Sequence, residues 1–444
     1  MIPLHNRKIA ILGGGRSGLA AAALARREGA IPVMFDGAEG SAAEKARARA
    51  TELLPGLEFI AGEEAGLTCG RSFPLLIASP GIDLTTGWGK AMSTLAETSI
   101  GEIEFASWFY RGYVVGITGT NGKTTTTEMI RDLLLAGGFS ALAAGNHGLP
   151  LAEVVLQHPE ADALALELSS FQLETIGTFR PDVAVWLNFA PDHMDRYRDL
   201  MDYRLAKENI YRNLRSTDTA IVPPCEVERA TASGARVVTF AVDGPADWEI
   251  RDGNICRHGE PIMALDDVAV RGRHNHANLL AAWAAARAAG VGDEAAREVF
   301  ARLQTPPHRY ERVRHLDGVD YINDSKSTNL HSLETALSAE KNQAILIAGG
   351  KEKGLDYSEL VGLVGTTCRA VIAIGEIGPK LRGIFAGVEN HGAADLEEAV
   401  LLARRLARPG DRVLLSPGTS SFDMFRDYNH RGEVFRMIAS NLSS

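Results

Sequence analysis

Residues Gly116 to Met129 read GITGTNGKTTTTEM. Gly119, Asn121 and Gly122 let backbone N–H groups wrap a phosphate, Lys123 places an ammonium on it, and the Thr124 hydroxyl can reach a Mg²⁺. Thr120 and Thr125 complete the loop. The strict form of this motif has glycine six residues before its lysine; Ile117 stands there, so the match is to a variant. Such a loop holds a triphosphate, but phosphate binding alone names no reaction.

A second glycine run, GGGRSG, sets Gly13, Gly15 and Gly18 in a GxGxxG pattern, and Asp36 ends the next apolar run where a ribose-binding acid would sit. NAD, another phosphorylated nucleotide, or a structural tight turn all suit these glycines, which only let a diphosphate approach a helix N-terminus. In LELSSFQLE, Glu167 interrupts an apolar strand, and a carboxylate there must be paired, protonated or on a metal. With a Mg²⁺–ATP site inferred nearby, metal coordination is favoured. NFAPDHMDRY follows the apolar run VAVWLN and carries Asp192, His193 and Asp195, a second candidate metal cluster at the carboxyl end of a strand.

These groups need elements to carry them. KIAILG, SGLAAAALARREGA and IPVMFD read as strand, helix and strand. VVGITG restarts the βα pattern, and a domain boundary is expected near residue 105. The middle third has strands ALALEL (163–168) and VAVWLN (183–188), a helix over roughly 199–213, short β-type runs over 219–272, and the helix NHANLLAAWAAARAAG. The prolines of QTPPH, Gln304 to His308, suit a linker. After it, YINDS, AILIAGG, AVIAIG and RVLLSPG imply a third open parallel sheet. The expected organisation is therefore α/β in three domains: a Rossmann-like N-terminal domain over 1–105, a central P-loop ATPase-type domain over 106–305, and a C-terminal Rossmann-like domain over 306–444.

At 444 residues with 45% hydrophobic and 23% charged side chains, the chain can bury more than one core, and a net charge of −10 argues against nonspecific nucleic-acid binding. Small-molecule partners are expected. The N-terminal MIPLHNRKIAILGGG has neither a leader pattern nor a membrane span, so a cytoplasmic address is expected. Cys69, Cys225, Cys256 and Cys368 form no CxxC pair and are read as reduced and structural.

Taken in order, GTNGKTTT, LELSSFQLE, APDHMDRY, GRHNHANLLAA, PHRYE and NDSKSTN resemble the ATP-dependent Mur ligases of peptidoglycan synthesis over essentially the whole chain. ELSSFQLE and DHMDRY point, within that family, to the activity that joins D-glutamate to UDP-N-acetylmuramoyl-L-alanine. The resemblance implies that ATP phosphorylates a carboxylate, that an amine attacks the acyl phosphate, and that a tetrahedral intermediate expels phosphate. L-glutamate in the same chemistry, or a folylpolyglutamate synthase, are the alternatives. An NAD-linked oxidoreductase is disfavoured because no hydride-transfer constellation accompanies the glycines.

By this likeness Lys123 and Thr124 grip ATP and one Mg²⁺, Glu167 joins that metal, and His193 binds a second. Lys207 in DYRLAKENIY reads on its own as a solvated helix lysine; the likeness implies instead a carbamate that binds the second Mg²⁺. Asn278, Arg309 and Asp324 fall among the ATP contacts, and Lys326 is expected on the transferring phosphoryl group. Asn146 would touch the muramoyl group, Ser17 and Asp36 the uracil end, and Ser79 to Ile82 the diphosphate. Thr328, Lys353, Ser421 and Tyr428 would hold the glutamate. A monomer is expected.

Overall fold

The computed structural model describes residues 3–63, 67, 70–194, 196–270, 272–303, 307–340 and 342–443. Cys69, Asp195 and residues 304–306 of the proline segment lie outside the described residues. Three sheets are present among the described residues. The chain divides into two compact units, one comprising Met1–Phe189, Tyr197–Ala269 and Asn275–Arg302, the other Ala190–Arg196, Val270–His274 and Leu303–Ser444.

In the first unit, β1 (Lys8–Leu12), β2 (Ile31–Asp36), β3 (Glu58–Ala61), β4 (Leu76–Ala78) and β5 (Ser99–Gly101) form a parallel sheet in the order β3-β2-β1-β4-β5. Near-continuous apolar strands such as KIAIL suit a sheet covered on both faces, and Ile9 to Leu12 are fully buried. The order reverses at β1 and β4, so the loops after these strands flank the crevice where open α/β sheets bind ligands.

The second sheet of this unit has nine strands: β6 (Tyr113–Thr118), β7 (Ala141–Gly145), β8 (Ala163–Glu167), β9 (Val183–Trp186), β10 (Thr219–Val222), β11 (Arg236–Ala241), β12 (Trp248–Arg251), β13 (Asn254–Arg257) and β14 (Glu260–Ala264). Their order is β14-β13-β12-β11-β10-β9-β6-β8-β7. Here the reversal falls between β6 and β9, which aims the phosphate-type loop after β6 and the segment after β9 into one crevice. The short β-type runs expected over 219–272 extend this same sheet. β12, β13 and β14 are antiparallel because Asp252–Gly253 and His258–Gly259 both take left-handed φ, at 50° and 73° and at 50° and 83°, the geometry of two-residue hairpin turns.

The second unit holds β15 (Glu311–Leu316), β16 (Val319–Asn323), β17 (Ala344–Gly349), β18 (Cys368–Ile374), β19 (Glu389–Gly392) and β20 (Arg412–Leu415), ordered β15-β16-β20-β17-β18-β19. This sheet is not wholly parallel as expected. β15 runs antiparallel to β16 because Asp317–Gly318, at φ 52° and 78°, closes another two-residue hairpin. The remaining neighbours are parallel, and the reversal at β17 and β20 points their following loops into a shared crevice. Among the described residues no helix is long and apolar enough to cross a membrane. Cys256 and Cys368 are buried free thiols and Cys225 is an exposed one.

Candidate functional site

The helix Lys123–Ala136 starts directly from the loop after β6, with Gly122 as its N-cap at φ 84°. Glycine is required there twice over: the conformation is left-handed, and a Cβ would lie 2.3 Å from Asn278 Oδ1. Asn278, 5% exposed on the helix Arg273–Ala288, is thereby packed against the phosphate loop. A helix N-terminus facing a glycine turn favours anions.

Asn188, just beyond β9, fastens the loop from across the crevice. Its Oδ1 accepts from Asn121 N at 2.9 Å, its Nδ2 donates to Asn121 O at 3.0 Å, and its own carbonyl accepts from Thr120 N at 3.1 Å. Sequence reasoning passed over Asn188; a polar residue ending the apolar run VAVWL at the carboxyl end of a strand was the available signal. Lys123 Nζ donates to the carbonyls of Gly119 and Thr120, both at 2.9 Å.

Lys207 is 1% exposed, so the solvated-lysine reading fails. It sits on the inner face of the helix Leu200–Glu208, donates to Gly119 O at 2.8 Å, and lies 4.8 Å from the centroid of the Tyr203 ring. The Tyr203 hydroxyl in turn stands 3.3 Å from Thr120 Oγ1. Two lysine side chains therefore converge on one carbonyl of the phosphate loop.

Glu167 closes β8 beside β6 and is 2% exposed. Asn146 Nδ2 donates to its Oε1 at 2.7 Å, while its Oε2 is buried with no hydrogen-bond partner among the described residues. An orphaned buried carboxylate oxygen near a phosphate loop fits a cation ligand, and Thr124, 8% exposed in the first helical turn, supplies a hydroxyl from the loop's own helix. Thr125 is 1% exposed, and its hydroxyl is buried without a partner among the described residues.

In the first sheet, Asp36 accepts from Gly14 N at 2.6 Å and from Ala38 N at 2.9 Å, bridging the glycine run to the end of β2. Gly18 is held to glycine by crowding, since a Cβ would lie 1.9 Å from Gly13 O. Ser79, after β4, bonds Gly13 O at 3.4 Å, and Ser17 is half-buried on the helix Arg16–Arg27.

His193 belongs to the second unit, at φ 56°, with its backbone N–H on Asp192 Oδ1 at 2.9 Å and its Nε2 3.8 Å from Asp192 Oδ2. Asn329 Nδ2 also donates to Asp192, at 3.1 Å. No group of three or more His, Cys, Asp or Glu side chains poised for a metal occurs among the described residues.

The loops after β16, β17 and β20 are knitted together. Lys351 N donates to Ser420 O at 2.9 Å, Gly418 N to Ser327 O at 2.9 Å, and Gly349 N to Pro417 O at 3.0 Å. Arg431, fully buried on the helix Tyr428–Asn441, pins two of them through Ser325 Oγ, Ser325 O and Thr419 O at 3.0, 2.8 and 3.2 Å. Burial pushes its guanidinium down to about 10. This residue escaped sequence reasoning because nothing in NHRGEVF separates an interior arginine from a surface one.

Lys326 Nζ lies 4.9 Å from the centroid of the Tyr428 ring. Asp324 accepts from Tyr310 N at 3.0 Å and from Ser416 Oγ at 2.9 Å; burial pushes its carboxyl up to about 7, against those bonds and the Arg309 charge. His308, 4% exposed, has its ordinary value lowered by burial; its Nδ1 accepts from Asn323 Nδ2, an amide nitrogen that can only donate, at 2.9 Å. Ser421 is buried, Thr328 half-buried and Lys353 exposed.

The sites within each unit can be compared with known proteins. Residues 117–286 match the Mur ligase middle domain and residues 308–419 the Mur ligase, glutamate ligase domain. The UDP-N-acetylmuramoylalanine–D-glutamate ligase of Chlorobium phaeobacteroides is 38% identical over 465 residues, covering 99% of both chains. Among solved structures, UDP-N-acetylmuramate-alanine ligase MurC from Thermotoga maritima matches with a TM-score of 0.60 at 18% identity, over 98% of this chain and 100% of that one. Escherichia coli FolC, in complex with DHPP and ADP, matches with 0.59 at 18% identity, over 77% of this chain and 92% of that one. Backbone likeness alone thus spans several ligases, and the 38% identity along the full chain, with the two matched domains, shows that the chain belongs to the Mur ligase family.

Proposed function

We infer that this chain is an ATP-dependent ligase that joins D-glutamate to UDP-N-acetylmuramoyl-L-alanine. The observation that carries this reading is the 38% identity, end to end, with a relative named for that reaction. The substrate carboxylate takes the terminal phosphoryl group of ATP, releasing ADP. The glutamate amine then attacks the acyl carbon, and the tetrahedral intermediate collapses with loss of phosphate and a proton to leave an amide. A carboxylate is inert toward amines; the acyl phosphate, a mixed anhydride with phosphate as its leaving group, is not.

In this reading the loop after β6 cradles the triphosphate, with Lys123 on its oxygens and the Asn188 bonds holding the cradle in shape. Thr124 and Glu167 would hold one Mg²⁺, the role that the unpartnered Glu167 oxygen supports. Bound Mg²⁺ neutralises phosphate charge and so makes the phosphoryl group a better acceptor and phosphate a better leaving group. Asn278, Arg309 and Asp324 are assigned to ATP, and Lys326 to the phosphoryl group in transit, where a fixed cation favours the transition state over the ground state. Ser17, Asp36 and Asn146 are assigned to the UDP-muramoyl substrate, and Thr328, Lys353, Ser421 and Tyr428 to glutamate. Residues 1–105, 106–305 and 306–444 would act as the UDP-substrate, ATP and amino-acid domains of a cytoplasmic monomer without nucleic-acid or membrane partners.

A carbamate on Lys207, with His193, is assigned to a second Mg²⁺. Burial supports it: desolvation disfavours an ammonium, and the neutral amine is the form that adds CO₂. Lys207→Ala is expected to abolish turnover with an unchanged circular-dichroism spectrum, and ¹³C-bicarbonate is expected to give a carbamate resonance absent from the variant. Near-normal turnover would remove the assignment.

The reaction itself is tested by phosphate release with ATP, Mg²⁺ and UDP-N-acetylmuramoyl-L-alanine, adding D-glutamate, L-glutamate or neither, with mass spectra of the products. A glutamyl adduct with D-glutamate alone is expected. An L-glutamate adduct would move the specificity, and no adduct with either would overturn the reading.

A further inference from the structure

The segment Gly145–Pro150 after β7 is tied down at each of three successive residues, and each tie leads to a different part of the first unit. Asn146 Nδ2 reaches the buried Glu167 at 2.7 Å, and His147 Nε2 contacts Glu128 Oε1, on the phosphate-loop helix, at 2.6 Å. Gly148 offers its carbonyl to Arg16 Nη1 at 3.3 Å. Arg16 does more than this. Its Nε and Nη2 form a two-pronged pair with Glu153 Oε2 and Oε1 at 2.9 and 3.0 Å, on the helix Leu151–Gln157 that leaves the same segment. Arg16 is itself the x of GxGxxG immediately before Ser17, and opens the helix whose N-terminus faces the crevice of the first sheet. One guanidinium, with all three nitrogens used, thus joins the first sheet's glycine loop to the second sheet's Asn146 segment.

We propose that Arg16 is a positioning residue for the UDP-linked substrate: it fixes the distance between the loop that takes the nucleotide end and the segment that takes the muramoyl end, so a substrate spanning both meets a preset gap. The proposal rests on the ligase reading for the identity of that substrate. A planar fork is suited to the task because a two-pronged pair fixes orientation as well as separation, which a lysine cannot do. Arg16 is about half exposed, so its pair with Glu153 contributes little to global stability and removing it leaves the protein folded. An interaction weakened equally in the bound substrate and in the transition state raises KM and leaves kcat in place.

The test compares the wild type, Arg16→Ala, Arg16→Lys and the exchanged pair Arg16→Glu with Glu153→Arg. The expected result for Arg16→Ala is a rise of roughly fivefold to tenfold in KM for UDP-N-acetylmuramoyl-L-alanine, with kcat and the KM for ATP within about twofold. Arg16→Lys should recover only part of that affinity, and the exchanged pair most of it. Amide hydrogen exchange is measured alongside, because it needs no substrate: Gly145 N and Asn146 N, bonded to Leu149 O and Glu167 O, should exchange faster in Arg16→Ala. Unchanged KM, a matching fall in kcat, or unchanged exchange at these amides would each overturn the proposal. A wild type that does not turn over this substrate would instead overturn the ligase reading, and the exchange rates would still decide the role of Arg16.

Discussion

The chain carries two glycine-rich loops that solve the same backbone problem with opposite charges. After β1, Gly14 N is occupied by the Asp36 carboxylate, so the loop presents an acid to its crevice. After β6, Asn121 N is held by the neutral amide of Asn188, and the Lys123 ammonium donates to Gly119 O. Glycine is required in both places for the loop to pack, since a Cβ at Gly18 would meet Gly13 O and one at Gly122 would meet Asn278 Oδ1. What differs is the field. A triphosphate, densely negative, is favoured over the second loop and repelled from the first, whereas a ligand with hydroxyl donors suits an acid. The pattern of glycines therefore identifies a cradle, and the side chains facing it identify the occupant.

The sharpest way to break this contrast is Lys123→Ala. Removing a cation aimed at the phosphates is expected to lower the rate of ATP-dependent phosphate release by roughly a hundredfold to a thousandfold. A decrease under threefold would mean that the second loop's charge is incidental. Asn188→Ala probes the neutral half of the same cradle. Three hydrogen bonds pass between Asn188 and residues 120–121, of which the two made by its side chain would go, leaving the loop free to shift. A decrease of roughly tenfold to a hundredfold in kcat/KM for ATP is expected from misplacement alone. Retained kcat/KM would show that Gly122 and Asn278 suffice to hold the loop.

Which of these features were legible in the sequence follows from their physics. Loop glycines, Lys123 and Glu167 announce themselves because each violates its local pattern: glycines at a strand end, an acid within ALALEL. Lys207 does not, because DYRLAKENIY has charge on every face and only the packed helix reveals which one is interior. Asn188 does not either, since a polar residue next to an apolar run reads equally well as a strand terminus, and Arg431 does not because nothing in NHRGEVF marks it as interior. The antiparallel β15 escaped notice although Asp317–Gly318 is a strong hairpin signal; the apolar runs that follow it drew the reading toward a parallel sheet. Both central hairpins were seen only as short β-type runs, since Asp252–Gly253 and His258–Gly259 mark turns without saying which sheet their strands join.

Asp36 tests the first loop. Asp36→Ala removes the bond to Gly14 N and the charge together, and about a fivefold rise in KM for the UDP-linked substrate is expected, with ATP kinetics unchanged. Equal damage to both substrates would show that the two loops are not electrostatically independent, and the contrast drawn between them would fall.

The smallest effect concerns the seam that holds the two sheets of the first unit together. Glu102, 1% exposed at the start of the helix Glu102–Ser107, accepts from Ala152 N at 2.6 Å, while its Oε2 is buried without a partner among the described residues. Burial pushes its carboxyl up to about 7, from an ordinary value of 4.5. Between those two values the folded protein keeps a proton that the unfolded chain has released, so stability falls as pH rises through that window and stays reduced above it. Glu102→Gln removes the titration and keeps an acceptor for Ala152 N. At a pH of about 4, where the acid is largely protonated in both states, variant and parent should unfold at similar denaturant concentrations. At a pH of about 8 the variant is expected to be the more stable by about 1–3 kcal/mol. An offset of the same size at both pH values would mean that Glu102 does not titrate on unfolding, and that the seam beside the glycine loops is indifferent to the pH that their charged groups sense.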